Sequence, residues 1–338
     1  GAAYDCQFRK LLTEYEVESR EQTKPRVDYN FLEELNTSEF IVVDPNKCIR
    51  CQRCVTVCTY YECVGAIDFT DWPTVNEKCI ACGLCLDICP TGALLEKIEG
   101  RVVDRIRWDE IRGVCTHCAC GCSLIFQTKG NRIMWVKGND KDAFDRNYTC
   151  KQGRFRSFDY LWKKDRLENP MIRKGKRLTK VEWDAALDWI VENLQKIQEK
   201  RVKDGFAVIG STAFSNEANY LLQRFARNVL ETNNIDAVGL NSYSDVVDML
   251  GESLGVYGMP QPLSSLEEAA AAFVVGDVEE CAPIVATALR RLSNHHGKEL
   301  ILANHKDDSL KQYADQMLNI KKGQAVNLLN LTTNITLS

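Results

Sequence analysis

DPNKCIRCQRCVTVC, residues 44–58, and EKCIACGLCLDICP, residues 77–90, carry one pattern twice. In each, four cysteines follow the spacing C-x2-C-x2-C-x3-C: Cys48, Cys51, Cys54 and Cys58, then Cys79, Cys82, Cys85 and Cys89. The agreement extends past sulfur. Cys48-Ile49-Arg50-Cys51 parallels Cys79-Ile80-Ala81-Cys82, and Gly65-Ala66-Ile67 parallels Gly92-Ala93-Leu94, so the segment is an internal duplication. A tight C-x2-C-x2-C loop brings three thiolates to three irons of one cubane, while the fourth cysteine, on the helix that follows, reaches the neighbouring cubane. The spacing therefore assigns Cys48, Cys51, Cys54 and Cys89 to one [4Fe–4S] cluster and Cys79, Cys82, Cys85 and Cys58 to a second. A pair of zinc sites would instead use separated C-x2-C pairs, each closing on a tetrahedral ion. Cys63, in the insertion TYYEC that distinguishes the first copy, is expected to pack as a small apolar side chain.

Composition sets the frame for this pattern. The chain has 338 residues, 45% hydrophobic and 27% charged, with a formal net charge of −4, enough to bury ordinary cores in two or three domains. Sixteen cysteines is a large number, and fourteen of them fall between Cys48 and Cys150, leaving only Cys6 and Cys281 outside. Disulfide scaffolds are short and spread their cysteines through loops, whereas this chain has a long, cysteine-poor second half, so metal binding in a reducing compartment is the expectation. Mild acidity offers no basic footprint for nucleic acid. No apolar run approaches the roughly 18 residues of a spanning helix, and GAAYDCQFRKLLTEYEV does not have the form of a signal peptide, so a cytoplasmic location is expected.

The duplicated segment resembles bacterial two-cluster ferredoxin domains. Beyond it, VCTHCACGC (114–122) gives Cys115-x2-Cys118-x3-Cys122, with Cys150 after a gap of 27 residues. Here the chain resembles the iron–sulfur domain shared by molybdopterin-containing formate dehydrogenases and the large iron–sulfur subunit of respiratory complex I. That resemblance implies a third [4Fe–4S] cluster on Cys115, Cys118, Cys122 and Cys150, with Cys120 a spare thiol. Zinc is the competing metal, and His117 is expected to face solvent or to support a ligand rather than bind metal.

Around these motifs, residues 7–22 have the periodicity of a short helix, and RVVDRIRWDEI and SLIFQTKGNRIMWVKGN read as short strands. After about residue 165, helix-like VEWDAALDWIVENLQKIQEK precedes FAVIG, NEANYLLQRFARNVL, AAFVVG, PIVATALRRLSNHH and ELILAN, and ADQMLNIKKGQAVNLLNLTTN adds a last strand and helix. Strands alternating with helices predict a mostly parallel α/β layer. The expected architecture is α+β and multidomain: a linker over 1–38 that is a possible remnant of a His/Cys cluster domain, a two-[4Fe–4S] ferredoxin domain over 39–100, a small β-rich [4Fe–4S] domain over 101–165, and an α/β layered domain of molybdopterin-oxidoreductase type over 166–338. Cys6-Gln7 before a helix is either a remnant of a cluster motif or an unligated cysteine.

Two positions bear on catalysis. Formate dehydrogenases follow the distant cysteine with x-Lys-Gly, the lysine lying between cluster and pterin, whereas here Cys150-Lys151-Gln152-Gly153-Arg154-Phe155 puts a neutral amide at that place. TNNIDAVGLNSYSDVV resembles the stretch where active dehydrogenases carry Arg-Leu-(Cys or selenocysteine)-His, but reads Gly239-Leu240-Asn241-Ser242-Tyr243. Ser242 is the one residue there that could ligate molybdenum. Gly210 and Gly276 end strands without a G-x-G-x-x-G fingerprint and are read as packing glycines, DVEE (277–280) as a solvated helix start, and His295, His296 and His305 as surface residues. The expectation is an electron-relay subunit with three [4Fe–4S] clusters and no molybdopterin. Its partners, by resemblance, are a flavin subunit that handles NAD(P)H, a small [2Fe–2S] subunit and a further redox module. The alternatives are a molybdenum or tungsten formate dehydrogenase α-type subunit and a redox-silent iron–sulfur scaffold.

Overall fold

The computed structural model describes residues 11, 14–16, 38–97, 108–118, 120–130, 132–139, 148–157, 166–200, 205–211, 214–238, 244–258, 261–306 and 309–337. Cys6, most of the helix expected over 7–22, the first half of RVVDRIRWDEI and the stretch 239–243 lie outside them. The chain divides into two compact units, one of residues 1–159 with 261–338 and one of 160–260.

In the first unit, β1 (Ile41–Val43) pairs antiparallel with the strand that closes the duplication, and both alternate buried and half-buried residues as a one-faced strand should. Each repeat then makes a cysteine loop and a short helix: α1 (Arg53–Thr56), which continues as a π-turn over Val57–Tyr61, and, after the antiparallel hairpin β2 (Ile67–Phe69) and β3 (Pro73–Val75), α2 (Leu84–Ile88), followed by β4 (Leu94–Glu96). Both loops turn through left-handed residues at matched positions, Arg50 with Ala81 and Gln52 with Gly83.

The β-rich segment is a meander of β5 (Asp109–Val114), β6 (Ser123–Lys129) and β7 (Arg132–Gly138), with a bulge at Gln127/Thr128, and is followed by α3 (Lys151–Phe155). Trp135 and Phe155 of this segment join Ile41, Ile67, Leu86 and Leu94 in one core, so the duplicated and β-rich segments share their hydrophobic interior.

In the second unit, β8 (Met171–Lys174) and β9 (Arg177–Lys180) form a hairpin around Gly175, and α4 (Trp183–Glu199), β10 (Val208–Ser211), α5 (Asn216–Asn228), β11 (Ile235–Val238) and α6 (Ser244–Leu254) follow. β10 and β11 pair in parallel. Ser215 caps α5 by accepting from the Ala218 N–H at 3.2 Å.

The first unit resumes with β12 (Ala271–Val275), α7 (Val278–Cys281), α8 (Pro283–His296), β13 (Glu299–Asn304), β14 (Gln316–Asn319) and α9 (Ala325–Leu337). Pro283 opens α8, and Gly297, left-handed at φ 56°, closes it with its N–H on Ser293 C=O. β12, β13 and β14 pair in parallel in that order, and Ala286, Leu289 and Leu292 of α8 cover Leu300 and Leu302. The parallel pairing agrees with the alternation of strands and helices. Among the described residues, the parallel strands expected in one layer after residue 165 fall instead into two sheets in two compact units, with the β8–β9 hairpin a third, antiparallel sheet. Alternation sets the sense of pairing through the crossover helix, but not which strand becomes the neighbour.

Candidate iron–sulfur centres

Cys48, Cys51, Cys54 and Cys89 line one cavity, and Cys58, Cys79, Cys82 and Cys85 line another. Each set draws its fourth thiol from the other repeat, the crossing that the spacing implied. The two cradles match at the level of single hydrogen bonds. Arg50 N–H donates to Cys48 Sγ and Ala81 N–H to Cys79 Sγ, both at 3.4 Å, because a left-handed residue two places after the first cysteine turns its amide inward. Ala66 N–H donates to Cys58 Sγ and Ala93 N–H to Cys89 Sγ, both at 3.2 Å. The extra residues of the first copy leave this bond in place.

The donor set suits a multinuclear cluster. Four thiols line each cavity, the number that a cubane takes from the chain. Burial pushes the Cys54 and Cys58 thiols up to about 11 and those of Cys82 and Cys85 well above the ordinary cysteine value. Thiolates so enclosed become stable when they bind cationic iron, and amide donors aimed at the sulfurs raise the potential of a cluster held there.

In the third group, Cys115 and Cys122 are buried, and Cys115 N–H donates to Cys122 C=O at 2.8 Å, holding the ends of the loop together at the mouth of the β5–β6 hairpin. Burial raises the Cys115 thiol, while the His117 backbone N–H and the Ser157 hydroxyl act to lower it, and the charges of Cys150 and Cys118 add to the rise. His117 itself is exposed, as expected. Cys120 belongs to the same neighbourhood. Burial first, then Cys118, Cys150 and Cys115, push its thiol up to about 12. The residue read as spare thus stands among the ligand candidates, as its place two residues from both Cys118 and Cys122 implies.

Residues 149–154 tie the second and third groups together. Thr149 Oγ1 donates to Cys82 C=O at 2.5 Å, Cys150 caps α3, and Gly153 lies so close to Cys115 that a Cβ there would sit 3.3 Å from Sγ. Arg154, wholly buried, donates to both oxygens of Asp87 at 2.5 and 2.8 Å, stands 5.1 Å from the centre of the Trp135 ring, and packs on Gly83. Asp87 lies between Cys85 and Cys89, whose thiols serve different cavities. Arg154 and Thr149 were not distinguished as site residues by the sequence. The available signal was that Arg154 follows Cys150 by one helical turn.

The TYYEC insertion serves as a dock for α8. Arg291 donates to Tyr61 C=O at 3.1 Å and covers the Tyr61 ring at 5.0 Å, His295 bonds Tyr60 C=O, and Tyr313 Oη donates to Cys63 C=O at 2.6 Å. Cys63, 4% exposed, packs as expected. Thr287 accepts from Arg290 at 2.8 Å and donates to Glu62 at 3.2 Å, while Arg290 also grips Glu279. Glu62 lines the second thiol cavity, its other oxygen has no hydrogen-bond partner, and burial pushes its carboxyl up to about 7 against the opposing pull of Arg290, Thr287 and Arg291.

At the family's lysine position Gln152 is exposed, and Lys151 does not replace it: its ammonium pairs with Glu39 at 3.2 Å and lies over the Phe40 ring at 4.9 Å. At the strand ends, Asp277 caps α7 and accepts from the Glu280 N–H, and Lys306 pairs with Asp277 and Glu280 at 3.5 and 3.2 Å. DVEE is thus a helix start, as read.

Residues 166–337 match the molybdopterin oxidoreductase family, about half of the chain. The chain belongs to the molybdopterin oxidoreductase family. Elsewhere in the chain, residues 108–158 match the molybdopterin oxidoreductase Fe4S4 domain and residues 41–96 the 4Fe-4S dicluster domain. Two Staphylococcus aureus proteins named as formate dehydrogenases, from strains MRSA252 and USA300, are each 26% identical to it over 97% of this chain. The chain spans 38% of the length of those relatives. The matches support the formate dehydrogenase side of the resemblance and give no support to the complex I-like assignment. The expected lack of molybdopterin also loses its footing, since the pterin family's domain is present. No helix among the described residues is long and apolar enough to cross a membrane.

Proposed function

We propose that this chain carries three [4Fe–4S] clusters and relays single electrons within a formate dehydrogenase-like molybdopterin oxidoreductase. The observation that supports it best is the pair of cavities with exchanged fourth cysteines, joined through residues 149–154 to a third group of thiols. On this reading Cys48, Cys51, Cys54 and Cys89 hold the first cluster, Cys58, Cys79, Cys82 and Cys85 the second, and Cys115, Cys118, Cys122 and Cys150 the third. The iron supplies the reversible one-electron chemistry. The chain's residues enclose it, exclude water and set its potential by amide donors and buried charge. A flavin partner that handles NAD(P)H is one proposed source or sink of electrons, with a small [2Fe–2S] subunit beside it.

The test is iron and sulfide analysis with spectroscopy. Three cubanes give about twelve irons per chain, and reduction should produce paramagnetic signals from each cluster. Clusters that bind but never accept an electron would make the chain a scaffold. One observation favours a second reading, in which the pterin domain is silent and the chain is a complex I-like relay: Gln152 stands where the lysine is expected, and Lys151 is held by Glu39. Stoichiometric molybdenum or tungsten on this chain would decide for the dehydrogenase; its absence from the assembled complex would decide for the silent relay.

A further inference from the structure

The two halves of the duplication present opposite faces. In the second copy the cysteine loop is closed over: Ala81 and Leu84 are 4% and 3% exposed, and Gly83 is covered by Arg154. In the first copy the matching residues are Arg50, Arg53 and Gln52, all exposed, and Cys51 is exposed between them. Ile49 adds an apolar tip, 48% exposed. Identical spacing has been dressed for two tasks.

Arg53 lines the first thiol cavity from outside and also borders a surface groove with Thr56, Val57, Tyr60, Tyr61 and Ile88, a groove with no acidic side chain in its lining. Tyr60 stands 64% exposed there. Arg50 has one partner, Asp71 at 3.3 Å, and both are so exposed that the pair is weak and screened. Arg53 has no acidic partner in a salt bridge among the described residues. Lys47, paired with Asp44 at 2.9 Å, extends the basic edge. The protein's net charge of −4 makes a local basic rim beside an exposed cluster cysteine the more specific. Such a rim steers an oppositely charged protein and sets its orientation, raising association rates by about 10–10³ at low salt.

We infer that the CIRCQRC loop and its groove are the docking surface for an acidic one-electron carrier protein, one with Asp and Glu around its own redox centre. The inference rests on the reading of these cysteines as a cluster. One electron passes from the reduced carrier to the oxidised first cluster, which goes from the 2+ to the 1+ state, and the carrier is oxidised by one electron. No bond forms or breaks and no proton moves. The buried second cluster then exchanges electrons only within the chain.

The test uses the cluster-loaded full chain and two reductants in stopped flow: a reduced [2Fe–2S] ferredoxin of strongly negative charge, and reduced methyl viologen, a small cation that needs no dock. The ferredoxin rate should fall steeply as salt brings the screening length below about 10 Å. Arg53→Glu should slow ferredoxin at low salt by about tenfold or more, Arg53→Gln by less and Arg50→Glu measurably, while the viologen rate does not fall with them, which separates docking from a change in the cluster itself. The exposed Lys322→Glu, just beyond β14 in the same unit, should leave both rates alone. Equal ferredoxin rates in Arg53→Glu and wild type overturn the inference, as does equal slowing by Lys322→Glu or equally fast reduction by a basic carrier. A chain without iron, or one that viologen cannot reduce, overturns the three-cluster reading first and the dock with it.

Discussion

Replacing Arg154 with Gln should strongly weaken the enclosure of the second thiol cavity, because it breaks a buried ion pair. The side chain is wholly buried, and its two hydrogen bonds to Asp87 form a fork on a carboxylate that is itself only 20% exposed. Burial alone would lower the arginine's pKa, yet Asp87 reverses this by charge and by hydrogen bonding, with Glu96 and Cys85 adding to it, so the guanidinium stays charged. Breaking a buried pair by removing one partner costs about 3–5 kcal/mol, most of it the burden of the stranded charge. Loss of the contact with Trp135 adds about 1 kcal/mol. Cluster loss makes unfolding irreversible, so the quantity to follow is a rate: bleaching of the cluster absorbance in urea at fixed temperature. With the pair lost chiefly in the unfolding step, Arg154→Gln should bleach about 10³–10⁴ times faster than wild type, at roughly 1.4 kcal/mol per tenfold. Asp87→Asn, which strands the wholly buried guanidinium, should be at least as damaging. The double variant should be less damaged than the sum of the two, because neither charge is then left alone. Additive effects, or an Arg154→Gln chain that bleaches within about threefold of wild type, would refute the reasoning.

Gly83→Ala should act on the same contact from the other side: a Cβ there would lie 2.5 Å from Arg154 Nε, on a residue at φ 77°, and the left-handed backbone alone costs about 1–2 kcal/mol, so the same bleaching assay should show faster loss. Glu62 should make stability depend on pH: with its native pKa raised to about 7 from 4.5, its contribution is complete below pH 4.5, declines as the unfolded carboxyl ionises, and levels off above 7 after a loss of about 3 kcal/mol. Glu62→Gln should flatten that decline in denaturation runs between pH 5 and 8, and an unchanged slope would assign it to other groups. Cys122→Ser should drop the iron content by about four per chain, whereas Cys120→Ser should keep it; the reverse result would make Cys120 the ligand and Cys122 the spare.

The grouping of the cysteines around two cavities was legible from the sequence because sulfur spacing constrains backbone geometry. A C-x2-C-x2-C loop has few backbone routes around a cubane, and the exchange of Cys58 and Cys89 follows from helix length. The β-rich meander and the parallel sense of the later strands were also legible, through alternation and helix–strand order. What stayed hidden were contacts between residues distant in the chain. Nothing local marks Arg154 as the partner of Asp87, Thr149 as the donor to Cys82 C=O, or Tyr313 as the donor to Cys63 C=O. The assignment of β10–β11 and β12–β14 to separate sheets was hidden for the same reason: each strand's own pattern says that it is buried, not what it pairs with.

The insertion and the substitutions within the duplication explain each other. A symmetric pair of loops would offer two equivalent surfaces, and electrons could enter or escape at either. In this chain Ala81, Gly83 and Leu84 are small or apolar enough for the β-rich segment to close over the second loop, and Gly83 in particular leaves room for Arg154. Arg50, Gln52 and Arg53 are too polar and too large for the same closure. TYYEC then gives the first copy a different covering, since it receives α8 on one flank while leaving the cysteine loop bare on the other. The hydrogen bond from Ala66 to Cys58 survives the insertion unchanged in length from its counterpart at Ala93. The extra residues therefore altered what packs outside the cradle and left this bond in place, an arrangement that would suit the proposed relay with one open end and one closed end.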